Sequence, residues 1–113
     1  MNTLARVVEV RRDHVAIAAV EGEIDASNVV DIAERVHLML SNRSEVLVVD
    51  LTKTTYLDSA GINMLFTLGT ALKERQQGLK LVVPPASPIA RMLSITGLDT
   101  EVPTFATRAE ALA

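Results

Sequence analysis

The sequence predicts an α/β fold: one domain over residues 1–113, with a mixed, mostly parallel β-sheet and about four helices covering it. Three observations lead there. Apolar runs of strand length alternate with amphipathic stretches of helical period, the order that produces parallel strands joined by crossover helices. The run Val46-Leu47-Val48-Val49 is apolar without alternation, as in a central strand covered on both faces. Connections are short, and no internal repeat, low-complexity tract or linker divides the chain.

Taken in order, Leu4 to Arg11 mixes apolar and charged residues and reads as an exposed strand, with Asp13 and His14 in the turn that follows. Val15 to Val20 is an unbroken β-compatible run and reads as a more buried strand, followed by a loop from Gly22 to Ser27. Val29, Ile32, Val36 and Met39 recur at helical spacing with Asp31, Glu34 and Arg35 off the stripe, which predicts a first helix ended by Ser41-Asn42-Arg43-Ser44. The central strand ends at Asp50, read as a turn or cap residue, and Thr52 to Thr55 is a polar connection.

Ile62, Leu65, Phe66, Gly69 and Leu72 form a second helical stripe, capped by Asp58 or Ser59. Gln77-Gly78 stops that helix, Leu79 to Val83 is a further strand, and Pro84-Pro85 ends it. Ser87 as cap and Pro88 at the first helical position start a third helix that runs to about Thr96, before Gly97. Val102 to Phe105 is a short strand, and Thr107-Arg108-Ala109-Glu110 has the spacing of a capping box for a brief last helix.

Composition removes several classes of function. With 49% apolar residues in 113, a single core forms without metal or disulfide staples. Three aromatic residues, Tyr56, Phe66 and Phe105, offer no stacking platform for bases. The net charge is −3, and no cluster of Lys and Arg follows a phosphate backbone, so nucleic acid is not expected as a direct partner. The absence of cysteine excludes thiolate metal sites and a Cys nucleophile. With no signal-like or bilayer-length apolar stretch, a cytoplasmic protein without membrane attachment is expected.

Enzyme motifs are missing too. There is no phosphate-binding glycine loop, and Leu57-Asp58-Ser59-Ala60-Gly61 departs from the Gly-x-Ser-x-Gly elbow of serine hydrolases. Asp50 invites comparison with the phosphate-accepting aspartate of receiver domains, but the first strand ends in Arg11-Arg12-Asp13 and supplies no Mg²⁺-binding carboxylate pair. His14 and His37 stand alone. No catalytic residue, metal ligand or cofactor is therefore expected.

In sheets of this kind, function collects where strands end and helices begin, here at Gly22–Ser27 and at Thr52–Gly61. Asp58 and Ser59 are ordinary capping residues. Capping does not account for the helix behind them, because no charge occurs from Ser59 through Leu72. The side opposite Ile62, Phe66 and Gly69 carries Ala60, Met64, Thr67 and Ala71 where a surface helix normally carries charge. An uncharged outer face with Met64 at its centre points to protein docking beside Ser59.

The string Asp50 to Ile62, with Asp58-Ser59-Ala60-Gly61 in it, resembles the signature of the STAS-domain anti-sigma-factor antagonists of bacteria. Gly22-Glu23-Ile24-Asp25 and Ser87-Pro88 through Gly97-Leu98 are similar to two further motifs of that family, in the same order. Ala60 stands where some members have a second serine. The resemblance implies a non-enzymatic switch with Ser59 as the phosphorylation site. An anti-sigma factor that is also a serine kinase would bind the unmodified form and release its sigma factor, and a phosphatase would reset the switch. The implied partner-binding residues are Asp25, Ala26, Ser27, Asp58, Ala60, Gly61, Asn63, Met64 and Thr67, in a monomer or weak dimer. The alternative within the family is a STAS scaffold or accessory subunit of a stress-signalling complex or lipid transporter.

Overall fold

The computed structural model describes residues 5–40 and 46–113, so the expected break at Ser41–Ser44 lies outside the described residues. β1 (Ala5–Arg12) and β2 (Val15–Ile24) form an antiparallel hairpin in continuous register from Ala5 opposite Gly22 to Arg12 opposite Val15. Asp13 makes the turn at φ 51°, a left-handed conformation that aspartate tolerates. β3 (Val46–Asp50) runs parallel to β2, β5 (Gly78–Val82) parallel to β3, and β6 (Thr104–Phe105) parallel to β5. The strand order is β1-β2-β3-β5-β6, with β4 (Thr54–Leu57) beside the far end of β2. The sheet is mixed and mostly parallel, as the alternation of elements predicts.

β4 corrects one expectation, since Thr52–Thr55 reads as a polar connection in the sequence. Thr54 is buried, and its hydroxyl donates to the Val20 carbonyl at 2.7 Å, which lets a polar residue occupy a strand in the core. β2 also runs longer than expected, to Ile24. It passes through Gly22 at φ 107°, where its register with β4 shifts, so much of the expected loop is strand.

Five helices occur among the described residues rather than about four: α1 (Val29–Met39), α2 (Ser59–Glu74), α3 (Ala90–Thr96), α4 (Leu98–Glu101) and α5 (Arg108–Leu112). The additional one is α4, a single turn that starts as Gly97, at φ 80°, closes α3. α3 begins later than Ser87-Pro88 suggests. The Ser87 hydroxyl accepts from the Ile89 amide at 3.3 Å inside a preceding turn, and regular helix starts at Ala90.

The main core lies on one face of the sheet, where Ala16, Ala18, Val20, Leu47, Val49 and Leu81 meet Ile32, Val36, Leu65, Leu72 and Leu93 of the helices. On the opposite face Ile17, Val48 and Val82 cluster with Ala111 of α5, with Val10, Val15, Val46 and Phe105 half-buried around them. Two polar contacts hold α5 there. Arg108 reaches Asp50, and the Lys80 ammonium donates to the Ala111 carbonyl at 2.8 Å while lying 5.3 Å from the Phe105 ring centre. Among the described residues no helix is long and apolar enough to cross a membrane.

Candidate functional site

Because Ile24 of β2 pairs with Leu57 of β4, the two strands end side by side and bring their following loops together. The Asp58 amide donates to the Ile24 carbonyl at 3.2 Å, which fixes the join. Asp58 is the cap of α2, in extended conformation at φ −97°, ψ −173°. Its Oδ1 accepts from the amides of Ala60 at 2.9 Å and Gly61 at 3.1 Å, two first-turn donors that lack partners within the helix. Its Oδ2 accepts from the Ala26 amide at 3.2 Å. One carboxylate thus ties the loop after β2 to the start of α2.

That loop has its own scaffold. Asp25 Oδ1 accepts from the Ser27 amide at 2.9 Å and from the Ser27 hydroxyl at 2.5 Å. The Asn28 side chain accepts from the Asp25 amide at 3.0 Å and donates to the Glu23 carbonyl at 2.8 Å. The result is a rigid polar collar, with Ala26 and Ser27 exposed, beside Ser59. Ser59 is the first residue of α2 and is exposed, so its hydroxyl stands at the positive end of a helix of 16 residues.

From Ala60, the residue after Ser59, a groove of about 340 Å³ runs between α1 and α2. Val29, Val30, Ala33 and His37 form its α1 wall, and Ala60, Met64 and Ala71 form much of the other, with Val36 and Leu68 beneath. Here the structure corrects the wheel. Ala60, Met64 and Ala71 are half-buried and turned toward α1 rather than to water, while Asn63 and Thr67 on the same wall are exposed. The buried stripe of α2 is Gly61, Ile62, Leu65, Leu68 and Leu72, with Phe66 and Gly69 only half-buried.

Gly61 is the second correction. It is buried, and a Cβ there would stand 2.3 Å from Leu57 Cδ1 and 3.0 Å from Ile24 Cγ2. The absence of a Cβ lets α2 approach the ends of β2 and β4, and burial leaves little of Gly61 on the surface. The remaining expected residues, Asp25, Ala26, Ser27, Asp58, Asn63, Met64 and Thr67, lie around Ser59 and along the groove.

Sequence reasoning missed the α1 wall, whose signal is a second stripe, Val30, Ala33 and His37, beside the core stripe of that helix. It also missed the partner of Asp50. Arg108 contacts Asp50 Oδ2 through Nη2 at 2.9 Å and Nε at 3.0 Å, and Oδ1 accepts from the Thr52 amide at 3.0 Å and hydroxyl at 2.6 Å. Burial pushes the Asp50 carboxyl up, but the Thr52 hydrogen bonds and the Arg108 guanidinium outweigh it and hold it below the usual carboxylate range. With both oxygens engaged, Asp50 is a structural anchor. Among the described residues no three of His, Cys, Asp and Glu gather as a metal ion would require.

A cavity of about 630 Å³, larger than the groove, opens at the other end of α2 beside Lys73, Gln77 and Pro103, away from every expected site residue.

The model of the STAS domain family matches residues 6–111. Over 99 residues the chain is 33% identical to the anti-sigma-B factor antagonist of Listeria monocytogenes, covering 88% of this chain and 85% of that protein. Its fold superposes with a TM-score of 0.80, at 27% identity, on the crystal structure of an anti-sigma factor antagonist from Mycobacterium paratuberculosis, covering 96% of this chain and 91% of the other. The Bacillus cell fate determinant SpoIIAA, solved in its phosphorylated form, shares the fold with a TM-score of 0.66 at 18% identity over 96% of each chain. The strand order, the paired loops at Asp25 and Asp58, and these matches together make the chain a member of the STAS domain family, of the anti-sigma-factor-antagonist kind.

Proposed function

We propose that the chain is a phosphorylation-controlled antagonist: unmodified, it binds an anti-sigma factor that is also a serine kinase and frees a sigma factor, and phosphate on Ser59 ends that binding. The observation that carries this reading is that exposed Ser59 immediately precedes Ala60, the first α2 residue of a mainly apolar groove. A partner that closes over the groove and the Asp25–Ser27 collar meets a neutral hydroxyl. Phosphate adds about −1.5 to −2 charges at that point, next to the Asp58 carboxylate, and opposes closure as water is expelled. The free domain tolerates the phosphate, since it sits at the positive end of α2. The groove supplies apolar contact area of the kind a docking partner covers. A separate phosphatase would reset the switch, and an ATP-using partner places the cycle in the cytoplasm.

The test is direct. Incubated with its cognate kinase and ATP, the protein should gain one phosphate that mass spectrometry maps to Ser59, and Ser59→Ala should gain none while still binding the kinase. Equal labelling of the variant would remove Ser59 from the mechanism. A scaffold or accessory-subunit role would appear instead as stable capture of a large complex with no labelling at all.

A further inference from the structure

We propose that the outer edge of β1 is a self-recognition surface, pairing antiparallel with β1 of a second copy about a two-fold axis centred on Val10. β1 pairs with β2 on one side only and ends the sheet, and among the described residues no strand pairs with its other side. In an antiparallel hairpin, alternate residues of the outer strand direct both backbone N–H and C=O away from the neighbour, so the edge presents a row of hydrogen-bonding groups that no strand among the described residues fills. Protected edges are usually short, bulged, broken by proline or lined with charge, so on this strand the charges decide which pairing is allowed. This one is 8 residues long, contains no proline, and keeps continuous register with β2.

The charges along the edge select one register. A two-fold axis normal to the sheet pairs residues of the same face, so its centre falls on a residue. Centred on Glu9, it would place Glu9 against Glu9 and Arg6 against Arg12 of the second copy, two like-charge pairings. Centred on Val8, it brings no opposite charges together. Centred on Val10, it places each Glu9 opposite the Arg11 of the other copy, Val10 against Val10, and Val8 against the aliphatic stem of Arg12. Glu9 and Arg11 are both about half exposed and already lie 2.7 Å apart within one chain, so the second copy turns a local ion pair into a four-membered network.

The face beside this edge supports the same occupant. Val10 is half-buried against Ile17 and Val48 on the side of the sheet that α5 covers only in part, so the valines of a second β1 would extend an apolar surface that already exists. Five residues on each strand, 8 to 12, take part, which makes the association weak and reversible. The centre lies near the Arg12 end of the hairpin, whereas Ser59 follows the Leu57 end of β4, which pairs with the opposite end of β2. Dimerisation therefore leaves both Ser59 sites open.

Sedimentation equilibrium over about 10 μM to 1 mM tests the proposal and should show a monomer–dimer equilibrium. Glu9→Lys or Arg11→Glu alone should weaken it about tenfold or more through like-charge pairing. The double exchange Glu9→Lys with Arg11→Glu should restore it. In the unmodified protein, amide exchange should slow with concentration within residues 8–12 alone, chiefly at Glu9 and Arg11, whose amides face outward, a readout that needs no variant to fold. A protein that stays monomeric throughout the range, single variants that dimerise as before, a double exchange that fails to recover dimers in a folded protein, or protection outside residues 8–12 would each overturn it.

Discussion

Asp50 at the end of β3 and Arg108 at the start of α5 stand 58 residues apart in sequence and meet through two nitrogen–oxygen contacts at 2.9 and 3.0 Å. The pair fastens a helix of five residues, too short to persist alone, across the second face of the sheet. Arg108→Ala should cost about 1–3 kcal/mol, because it leaves a carboxylate that is only 7% exposed with Thr52 as its remaining support. A melting temperature lowered by several degrees, with Ser59 phosphorylation unaffected, is the expected result. An unchanged melting temperature would show the pair to be inert.

The same pair gives a pH dependence of known sign. Asp50 is held below the ordinary carboxylate range in the folded protein, so its contribution is complete above its unfolded pKa of about 4 and is lost as pH falls through the lower folded value. Stability from this group should be flat from about pH 7 to 5 and decline below about pH 4. Asp50→Asn should be less stable at neutral pH and show a shallower acid decline. Parallel curves of melting temperature against pH for the two proteins would refute the assignment.

Capping in α2 belongs to Asp58 rather than to Ser59, and the two substitutions should separate accordingly. Ser59→Ala should change stability by less than about 0.5 kcal/mol, as at an ordinary exposed position. Asp58→Ala should cost about 0.5–2 kcal/mol and also release the loop that Ala26 anchors. Urea titrations of both variants decide it, and equal costs would contradict the hydrogen-bond pattern.

The groove separates binding from folding at two positions. Thr67 is exposed, so Thr67→Glu should leave the melting temperature nearly unchanged and weaken partner binding about tenfold or more. Met64 is half-buried against the core, so Met64→Lys should weaken binding and also cost about 1 kcal/mol, less than for a buried charge because the lysine head can reach water. Calorimetric titration against the anti-sigma factor reads the first effect and thermal unfolding the second. Full affinity in both variants would place the partner elsewhere.

Phosphorylation should act locally. Backbone NMR shifts on modification of Ser59 should concentrate at Asp25–Ser27 and Asp58–Met64, the two segments that the Asp58 carboxylate joins through the amides of Ala26, Ala60 and Gly61. Shifts spread through β3 and β5 would mean a global rearrangement instead.

Much of this was legible in the sequence because hydrophobic period and turn chemistry act over a few residues. Val15–Val20 and Val46–Val49 announce buried strands, Val29 to Met39 announces a helix, and Asp58-Ser59 announces a cap that the structure gives to Asp58. What stayed hidden depends on contacts between segments distant in sequence. β4 is visible only once the Thr54 hydroxyl has the Val20 carbonyl to bond, 34 residues upstream. Met64 turns out half-buried because α1 lies alongside α2, and a helical wheel carries no information about neighbours. Gly61 reads as part of a recognition string, yet the reason for a glycine there is the approach of Leu57 and Ile24.

The pairing pattern of the sheet also orders events in time during synthesis. Among the described pairings, only β1 with β2 joins neighbours through a tight turn, while β2 must wait for β3 and β4, and β3 for β5, across intervening helices or loops. Such long closures are slow beside hairpin formation. A chain emerging from the ribosome can therefore close its first hairpin early, with the valines of β2 uncovered, and must reach at least Val82 before the central sheet is complete. Ser59 leaves the ribosome well before that point, but the α1–α2 groove beside it does not yet exist. On the proposed function, a kinase that needs both walls of the groove would have to wait until Ala71 has emerged and packed, and a molecule released before that encounter would enter the pool unmodified.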